Sequence, residues 1–580
     1  MEKIANFVAS SASEYWRNAE EKRFVRQVRS SSSWTEHAAD TRRTLMLEMD
    51  AVTLLLCSLR TRYNAVAHIN RLSSEILAHI FSFLQKIDKP REVKLNAPGD
   101  QIGWLRATHI CRQWRSAAID HAYLWSNILV DLGRRWMEEF LHRSRMAPIL
   151  FNDLETRRSD PEGARSVEDV ASIIAQHLCH MQELSTVADD HQSAASIFLS
   201  LRQTAPVLEE FELYNKSATV DGDHNILPVT DPLPSLPPDL FDHVAPRLYY
   251  LSLWYFQVPW PSLVFSNLLY LRIMGTAGSA EAARFAQSNF ETQDLRSFLD
   301  ALSRMPALQV LELSFALPRL PPGARPRTSY ASPVALTQLY RLYLKDTILE
   351  CAVALNHMVL PPNVDKFVDC RLDTAKRRGA DLIAPWIGSQ MGTICDCKVQ
   401  EWIGGFRIIA PSTFSVEASP EEGGLDIYIR YDDLEADKAL DELRPICQIL
   451  PLEHLESLCV DITYACQKAR DWFSILGRCE NLKHLEIWEH CQDSIWTALG
   501  STLDSPVGGY SGSGRLFPSL LSLKLSDFEL TPSDFHAKLL PMLKFRKTLM
   551  PLQWVDVSAC GRVEHAIFSG IRDEVPEVIW

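Results

Sequence analysis

Long apolar runs are absent from this 580-residue sequence. The most hydrophobic stretch, Ala51 to Cys57, is far short of the roughly 18 residues that a bilayer span needs. The opening stretch, Met1 to Arg23, interleaves Glu2, Lys3, Glu14, Glu20 and Glu21 with isolated apolar positions, so it holds no uninterrupted signal-peptide core. A cytosolic or nuclear protein with no membrane contact is expected. Paired cysteines are missing as well. The 13 cysteines are odd in number and widely scattered, and none forms a C-x-x-C pair. That pattern argues for reduced thiols and against a disulfide framework or a zinc site. Cys395-Asp396-Cys397 and the trio His177, Cys179 and His180 come nearest to metal motifs, but neither supplies a ligand set, and no metal or other cofactor is expected. Catalytic text is also missing: there is no GxxxxGK, no GxGxxG after a strand, no HExxH and no GxSxG. The run Gly508 to Gly514 lacks the Lys and Thr of a phosphate loop and reads as a flexible loop. No enzyme active site is expected.

What is present is an ordinary globular composition, 46% hydrophobic and 23% charged, in a chain too long for one core. The charge is unevenly spread. The net charge is −14; residues 1–150 carry 22 Lys+Arg and 16 Asp+Glu, a balance of +6, leaving −20 on the other 430 residues. Acidity on that scale argues against nucleic-acid binding, which depends on neutralising phosphates, and mildly favours basic partners.

Three helices are expected early in the chain. Arg42 to Val66 carries Leu45, Met49, Val52, Leu55, Leu56, Leu59, Tyr63 and Val66 on one face. Such a stripe suits a short coiled coil or, because fewer than four heptads are present, a helix lying on the next module. Asn70 to Leu84 follows, capped by Ser73 or Ser74, and a third helix runs over about Trp104 to His121. The run Ile69-Asn70-Arg71-Leu72-Ser73-Ser74-Glu75-Ile76-Leu77-Ala78-His79-Ile80-Phe81 resembles the opening helix of an F-box. Ala107-Thr108-His109-Ile110-Cys111-Arg112-Gln113-Trp114-Arg115 resembles its second half, and Leu124-Trp125 its close. Ser73 stands where the family usually has proline, and the loop between the halves is long. The layout is similar to that of fungal F-box proteins. The resemblance implies docking on a Skp adaptor and, through it, a cullin. The apolar side chains it assigns to that docking are Leu72, Ile76, Leu77, Ile80, Phe81, Leu84, Ile110, Cys111 and Trp114.

Beyond the helices a phrase L-x-x-L-x-L recurs nine times, opening at Leu208, Leu248, Leu268, Leu308, Leu339, Leu455, Leu482, Leu520 and Leu552. Several copies follow helical text, and two further strands are expected in the gap at Val364-x-x-Phe367 and Leu425 to Ile429. Alternate residues of a strand share a face, so the last two apolar positions of each phrase point together into a core. Repeated strand-bearing units of this kind stack into a solenoid. The phrase resembles the leucine-rich-repeat family, although of its usual Asn/Cys position only Cys560 fits. Asn215 to Pro238 and Pro318 to Pro333 read as proline-rich surface insertions, and Thr156 to Gly163 as a joint.

The expected fold is therefore an α+β, multi-domain chain: an N-terminal helical F-box module followed by an irregular α/β leucine-rich-repeat solenoid, or horseshoe. Its divisions are a flexible segment over 1–41, an amphipathic helix over 42–68, the F-box over 69–126, a linker and start of the array over 127–193, and the array over 194–580. Residues flanking each core pair face the open side, which places Tyr214, Trp254, Tyr270, Glu312, Tyr343, Trp488 and Trp554 on one surface as target-binding candidates. The function expected is target recognition within a Skp–cullin–F-box ubiquitin ligase. The alternative is a non-enzymatic repeat scaffold whose F-box-like helices cap the array.

Overall fold

The computed structural model describes residues 2–24, 34–90, 102–130, 134–154, 167–216, 233–276, 293–320, 332–371, 379–390, 396–402, 405–410, 425–430, 436–462, 466–489, 491, 493–502, 514–561 and 563–580. Thr156 to Gly163, Gly508 to Ser513, Cys395 and most of both proline-rich stretches lie outside them. The chain divides into two compact units, Met1–Leu124 and Trp125–Trp580.

The first unit is helical. It comprises α1 (Glu2–Phe24), α2 (Trp34–Val66), α3 (Ser74–Ile87), α4 (Ala107–Ile110) and α5 (Arg112–Asp120). Neither α1 nor α2 contains Gly or Pro, so nothing in their text interrupts backbone hydrogen bonding. Residues 1–41, expected to be flexible, are thus helical over Glu2–Phe24 and again from Trp34, eight residues before the expected start of the second helix. The helix expected over Trp104 to His121 is broken. A 3₁₀ turn covers Gly103–Arg106, and Cys111 is extended, with φ −154° and ψ 170°. Ser73 occupies the N-cap of α3 by its carbonyl, which accepts from Leu77 N–H at 3.1 Å, rather than by its hydroxyl. The core of the unit is Leu77, Phe81, Trp104, Leu105, Ala117 and Ala118, each at most 2% exposed.

The second unit is mixed α/β around one sheet of 17 strands. In chain order the strands are β1 (Asn127–Ile128), β2 (Ile149–Asn152), β3 (Met181–Ala188), β4 (Glu210–Asn215), β5 (Tyr250–Trp254), β6 (Tyr270–Met274), β7 (Val310–Ser314), β8 (Val334–Ala335), β9 (Arg341–Thr347), β10 (Met358–Val359), β11 (Asp365–Arg371), β12 (Asp396–Trp402), β13 (Gly405–Ala410), β14 (Leu425–Arg430), β15 (Ser457–Asp461), β16 (His484–Trp488), β17 (Ser522–Ser526), β18 (Trp554–Ala559) and β19 (Glu577–Ile579). Each strand lies parallel to the next, except that β12, β13 and β14 form an antiparallel meander inserted in reverse order between β11 and β15. β8 and β10 pair separately. Helices return the chain between strands, among them His191–Ser200, Gln293–Ser303 and Ala469–Leu476. The first of these starts on a capping box: Asp190 Oδ1 accepts from Ser193 N–H at 2.7 Å, and Ser193 Oγ accepts from Asp190 N–H at 2.9 Å.

All nine L-x-x-L-x-L copies lead into parallel strands, and all 27 of their apolar residues are at most 3% exposed. Neighbouring copies are in register, Phe211 opposite Leu251 and Leu251 opposite Leu271. Polar and thiol side chains at or just past the strand ends satisfy backbone groups of the adjacent unit. Asn215 Nδ2 donates to Tyr255 O at 3.0 Å, Asp346 Oδ2 accepts from Leu317 N–H at 3.2 Å, and Cys560 Sγ lies 3.4 Å from Leu525 O. Tyr255, Phe315 and Asp527, each immediately after a strand, share a left-handed backbone with φ of 65°, 48° and 62°. The same turn therefore recurs without glycine.

The parallel sheet begins at Asn127, inside the division 127–193 expected to hold a linker and the start of the array: β2 and β3 are full members, with Met181, Leu184 and Thr186 in the slots that other copies give to three apolar residues. The stretch Val364-x-x-Phe367, expected as a strand, leads into β11. Val364 is buried, but the core slots belong to Lys366 and Val368, and Phe367 stands on the other face.

Candidate functional site

α3 is apolar on two faces. Leu77, Phe81 and Leu84 recur at steps of four and three and turn inward; Leu77 and Phe81 are wholly buried and Leu84 half-buried. Ile76, Ile80, Phe83 and Ile87 recur at steps of four, three and four and form an outer ridge. Of these Ile76 is 49% exposed, Phe83 53% and Ile87 82%, with Ile80 half-buried. From the second half, Ile110 is 59% exposed, and Leu72 and Cys111 are half-buried. Trp114 is a rivet of the module itself. Its indole N–H donates to Asn70 Oδ1 at 2.7 Å, and its ring lies 5.3 Å from that of Phe81. Asn70 also accepts from Gln113 Nε2 at its carbonyl, 2.9 Å, and donates to Asn64 O at 2.6 Å. The nine docking candidates therefore split. Leu77, Phe81 and Trp114 hold the unit together, while Ile76 and Ile110 are presented to solvent. Phe83 and Ile87 join the ridge although sequence reasoning passed them over; the signal was their spacing from Ile76. At the start of α3, hydroxyl hydrogen bonds from Ser73 and Ser74 hold the exposed Glu75 carboxyl below its usual range.

The second candidate surface is the sheet face opposite the buried phrases. Register places Glu210, Tyr250, Tyr270, Val310 and Arg341 in one row, Glu212, Ser252, Arg272, Glu312 and Tyr343 in the next, and Tyr214, Trp254, Met274, Ser314 and Lys345 in a third. Tyr214, Trp254, Tyr270, Glu312 and Tyr343 thus lie on five adjacent strands, all half-buried. Trp254 Nε1 donates to Ser252 Oγ at 2.9 Å and to Glu212 Oε1 at 3.1 Å. Its ring is 6.2 Å from Tyr214, and the Arg272 guanidinium lies 5.4 Å from both Trp254 and Tyr270. Arg272 Nε donates to Glu312 Oε2 at 2.6 Å, and Tyr250 stacks on Tyr270 at 4.6 Å. Tyr343 stacks on Phe367 at 4.8 Å with ring planes 7° apart, and Phe367 leads on to Tyr428 at 5.0 Å. Phe367, from the strand expected at Val364-x-x-Phe367, is a further member of this face.

The face is acidic at one end. Glu183 stands directly opposite Glu210, and burial together with the Glu210 and Glu212 charges pushes the Glu183 carboxyl up. Tyr249 donates to Glu210, which raises its phenol to about 12. Further along, cations are paired, Lys345 with Asp369 at 3.6 Å. Trp488 and Trp554 occupy the corresponding rows of β16 and β18. Trp488 Nε1 lies 3.2 Å from Cys459 Sγ, and Trp554 sits 6.1 Å from the His484 ring. Six strand steps separate β9 from β16, about 29 Å at ~4.8 Å per strand. These two tryptophans lie apart from Trp254 and Tyr343.

Metal chemistry has no assembled centre: among the described residues no three His, Cys, Asp or Glu side chains converge on a point. His177, Cys179 and His180 do approach one another, but on opposite ring nitrogens of His180. His177 Nδ1 lies 3.3 Å from His180 Nε2, and Cys179 Sγ lies 3.6 Å from His180 Nδ1. Burial holds both imidazoles below their usual range. No helix among the described residues is long and apolar enough to cross a membrane.

Comparison with known families matches residues 69–131 to an F-box-like domain. It starts at the Ile69 run and continues past Leu124-Trp125. No curated protein matches the chain.

Proposed function

We propose that this chain, which carries an F-box-like domain, is the target-recognition subunit of a Skp–cullin–F-box ubiquitin ligase, acting in the cytoplasm or nucleus. The observation that carries the reading is the outer ridge of α3. A helix that has already buried Leu77 and Phe81 still exposes Ile76, Phe83 and Ile87, with Ile110 from the second half. F-box domains generally bind Skp-type adaptors, and exposed aliphatic and aromatic ridges are what a protein groove takes up. The cullin is reached through the adaptor. The chain does no covalent chemistry of its own: its task is recruitment, and no cofactor, nucleic acid or membrane takes part.

The second unit supplies the grip. Nine in-register phrases, helical returns and recurring polar contacts at the strand ends support a leucine-rich-repeat array, irregular because of the β12–β14 meander. The half-buried aromatics on β4 to β11 are its target surface. They offer large contact area at low rotamer cost.

The test is co-purification of the full-length chain with a Skp adaptor. Ile76→Glu with Ile110→Glu should lower capture by at least about 100-fold, because two desolvated anchors are each worth about 1.5–3 kcal/mol. The circular dichroism of the chain should not change, since both positions are exposed. Adaptor retained at full strength, or none bound by the wild-type chain, rejects the reading; the second outcome favours the scaffold in which these helices only cap the array.

A further inference from the structure

α2 carries a stripe that the adaptor reading does not use. Leu45, Met49, Val52, Leu56, Leu59, Tyr63 and Val66 follow at steps of four and three without a break. This is the 3.5-residue period of a coiled-coil seam. All seven are exposed, from 41% at Leu45 to 82% at Tyr63, over about 33 Å of helix. The stripe floors an apolar groove of about 890 Å³, with Trp16, Ala19 and Phe24 of α1 on its far wall. Arg23 ties the two helices by an ion pair to Glu48 at 2.7 Å.

Charge along the stripe itself, residues 45–66, is polarised. Glu48 and Asp50 flank the stripe near one end, Arg60 and Arg62 near the other, and residues 51–59 carry no charge. We propose that α2 is a self-association element through which two copies of this chain pair antiparallel. The register that layers Val52 on Leu56 of the second copy also layers Met49 on Leu59 and Leu45 on Tyr63. It brings Glu48 within two residues' rise, about 3 Å, of Arg62 of the second copy at both ends of the seam. A parallel pair would instead set like charges level with each other. The seven side chains offer on the order of 700 Å² per copy, close to the about 800 Å² per partner of a stable complex, and the α1 wall adds to it.

Sedimentation equilibrium of the full-length chain, from 0.1 to 50 µM on the scale of ordinary protein complexes, tests this. The wild type should sediment at twice the chain mass. Leu56→Glu with Leu59→Glu should raise the dissociation constant at least about 100-fold with circular dichroism and adaptor capture unchanged, since the seam lies outside residues 69–131. Arg62→Glu alone, or Glu48→Arg made together with Arg23→Glu so that the pair between α1 and α2 is kept, should each weaken association about tenfold through two symmetric pairs. The three changes together should restore it to within about threefold of wild type. A wild-type monomer throughout the range, a dimer indifferent to the seam variants, or a combined reversal weaker than either partial change overturns the proposal.

Discussion

Lys366 occupies a core slot that β9 gives to Leu342, with Leu425 of β14 level with it on the other side in register. It is 6% exposed, and its ammonium donates to Val364 O at 3.1 Å. Burial holds its pKa below the ordinary lysine value. Between that lowered value and the ordinary one, the unfolded chain binds the proton that the folded chain gives up. Stability therefore climbs as pH rises through that window, and the burden is fully present below it. Lys366→Met keeps the volume and removes the charge. It should raise unfolding stability at pH 7 by about 1–2 kcal/mol and flatten the rise between pH 7 and 10.5, as read by denaturant titration. A variant less stable than wild type would assign Lys366 a necessary structural bond. The same residue hides the facing of this strand in the sequence. A charged side chain in a core slot inverts the local apolar pattern, so the text shows a strand but not that Phe367 stacks on Tyr343 on the open face.

At the scale of elements, legibility followed the uniqueness of the apolar pattern. The nine phrases were readable because period-two burial leaves one apolar row per strand, and every one of their core residues is buried. β3 escaped because Thr186 replaces the last apolar residue, and β2 because four residues are too few to show alternation. α3 was readable as a helix but not as an orientation. With apolar residues on both faces, nothing in the text separates Leu77, which is core, from Ile76, which is ridge. α1 has a weaker apolar stripe than α3 and read as unstructured. The open face of β3 and β4 has its own consequence. Glu183 faces Glu210 across the ladder, and like charges so placed destabilise a sheet. With the folded carboxyl pushed up, the folded chain holds its proton to higher pH than the unfolded chain. Stability is then greatest below the ordinary carboxylate range and falls as pH rises through the raised value. Glu183→Gln should stabilise the chain by about 0.5 kcal/mol at pH 7 and reduce the fall between pH 4 and 7 in urea titrations. An unchanged pH slope would show that these charges do not couple.

For the whole molecule, the proposed role in target capture divides the work between the uneven charge and the aromatic face. Residues 151–580 carry −20, a field that acts over a Debye length of about 8–10 Å at physiological salt and accelerates the approach of a basic partner. Contact energy must come from elsewhere, because exposed charges contribute little once screened. The half-buried rings of Trp254, Tyr343 and Phe367 can supply it. The two contributions respond to different perturbations. For a target recovered by crosslinking from cells expressing the full-length chain, the association rate should fall about tenfold or more between 50 and 500 mM salt, while adaptor capture, an apolar contact, should hold steady. Trp254→Ala with Tyr343→Ala should leave that salt slope intact and speed dissociation at least about 30-fold, the effect of losing two anchor side chains of about 1 kcal/mol or more each. Association indifferent to salt would remove the acidic array from recognition, and dissociation indifferent to the two aromatics would move the target site to the surface loops or to the strands that carry Trp488 and Trp554.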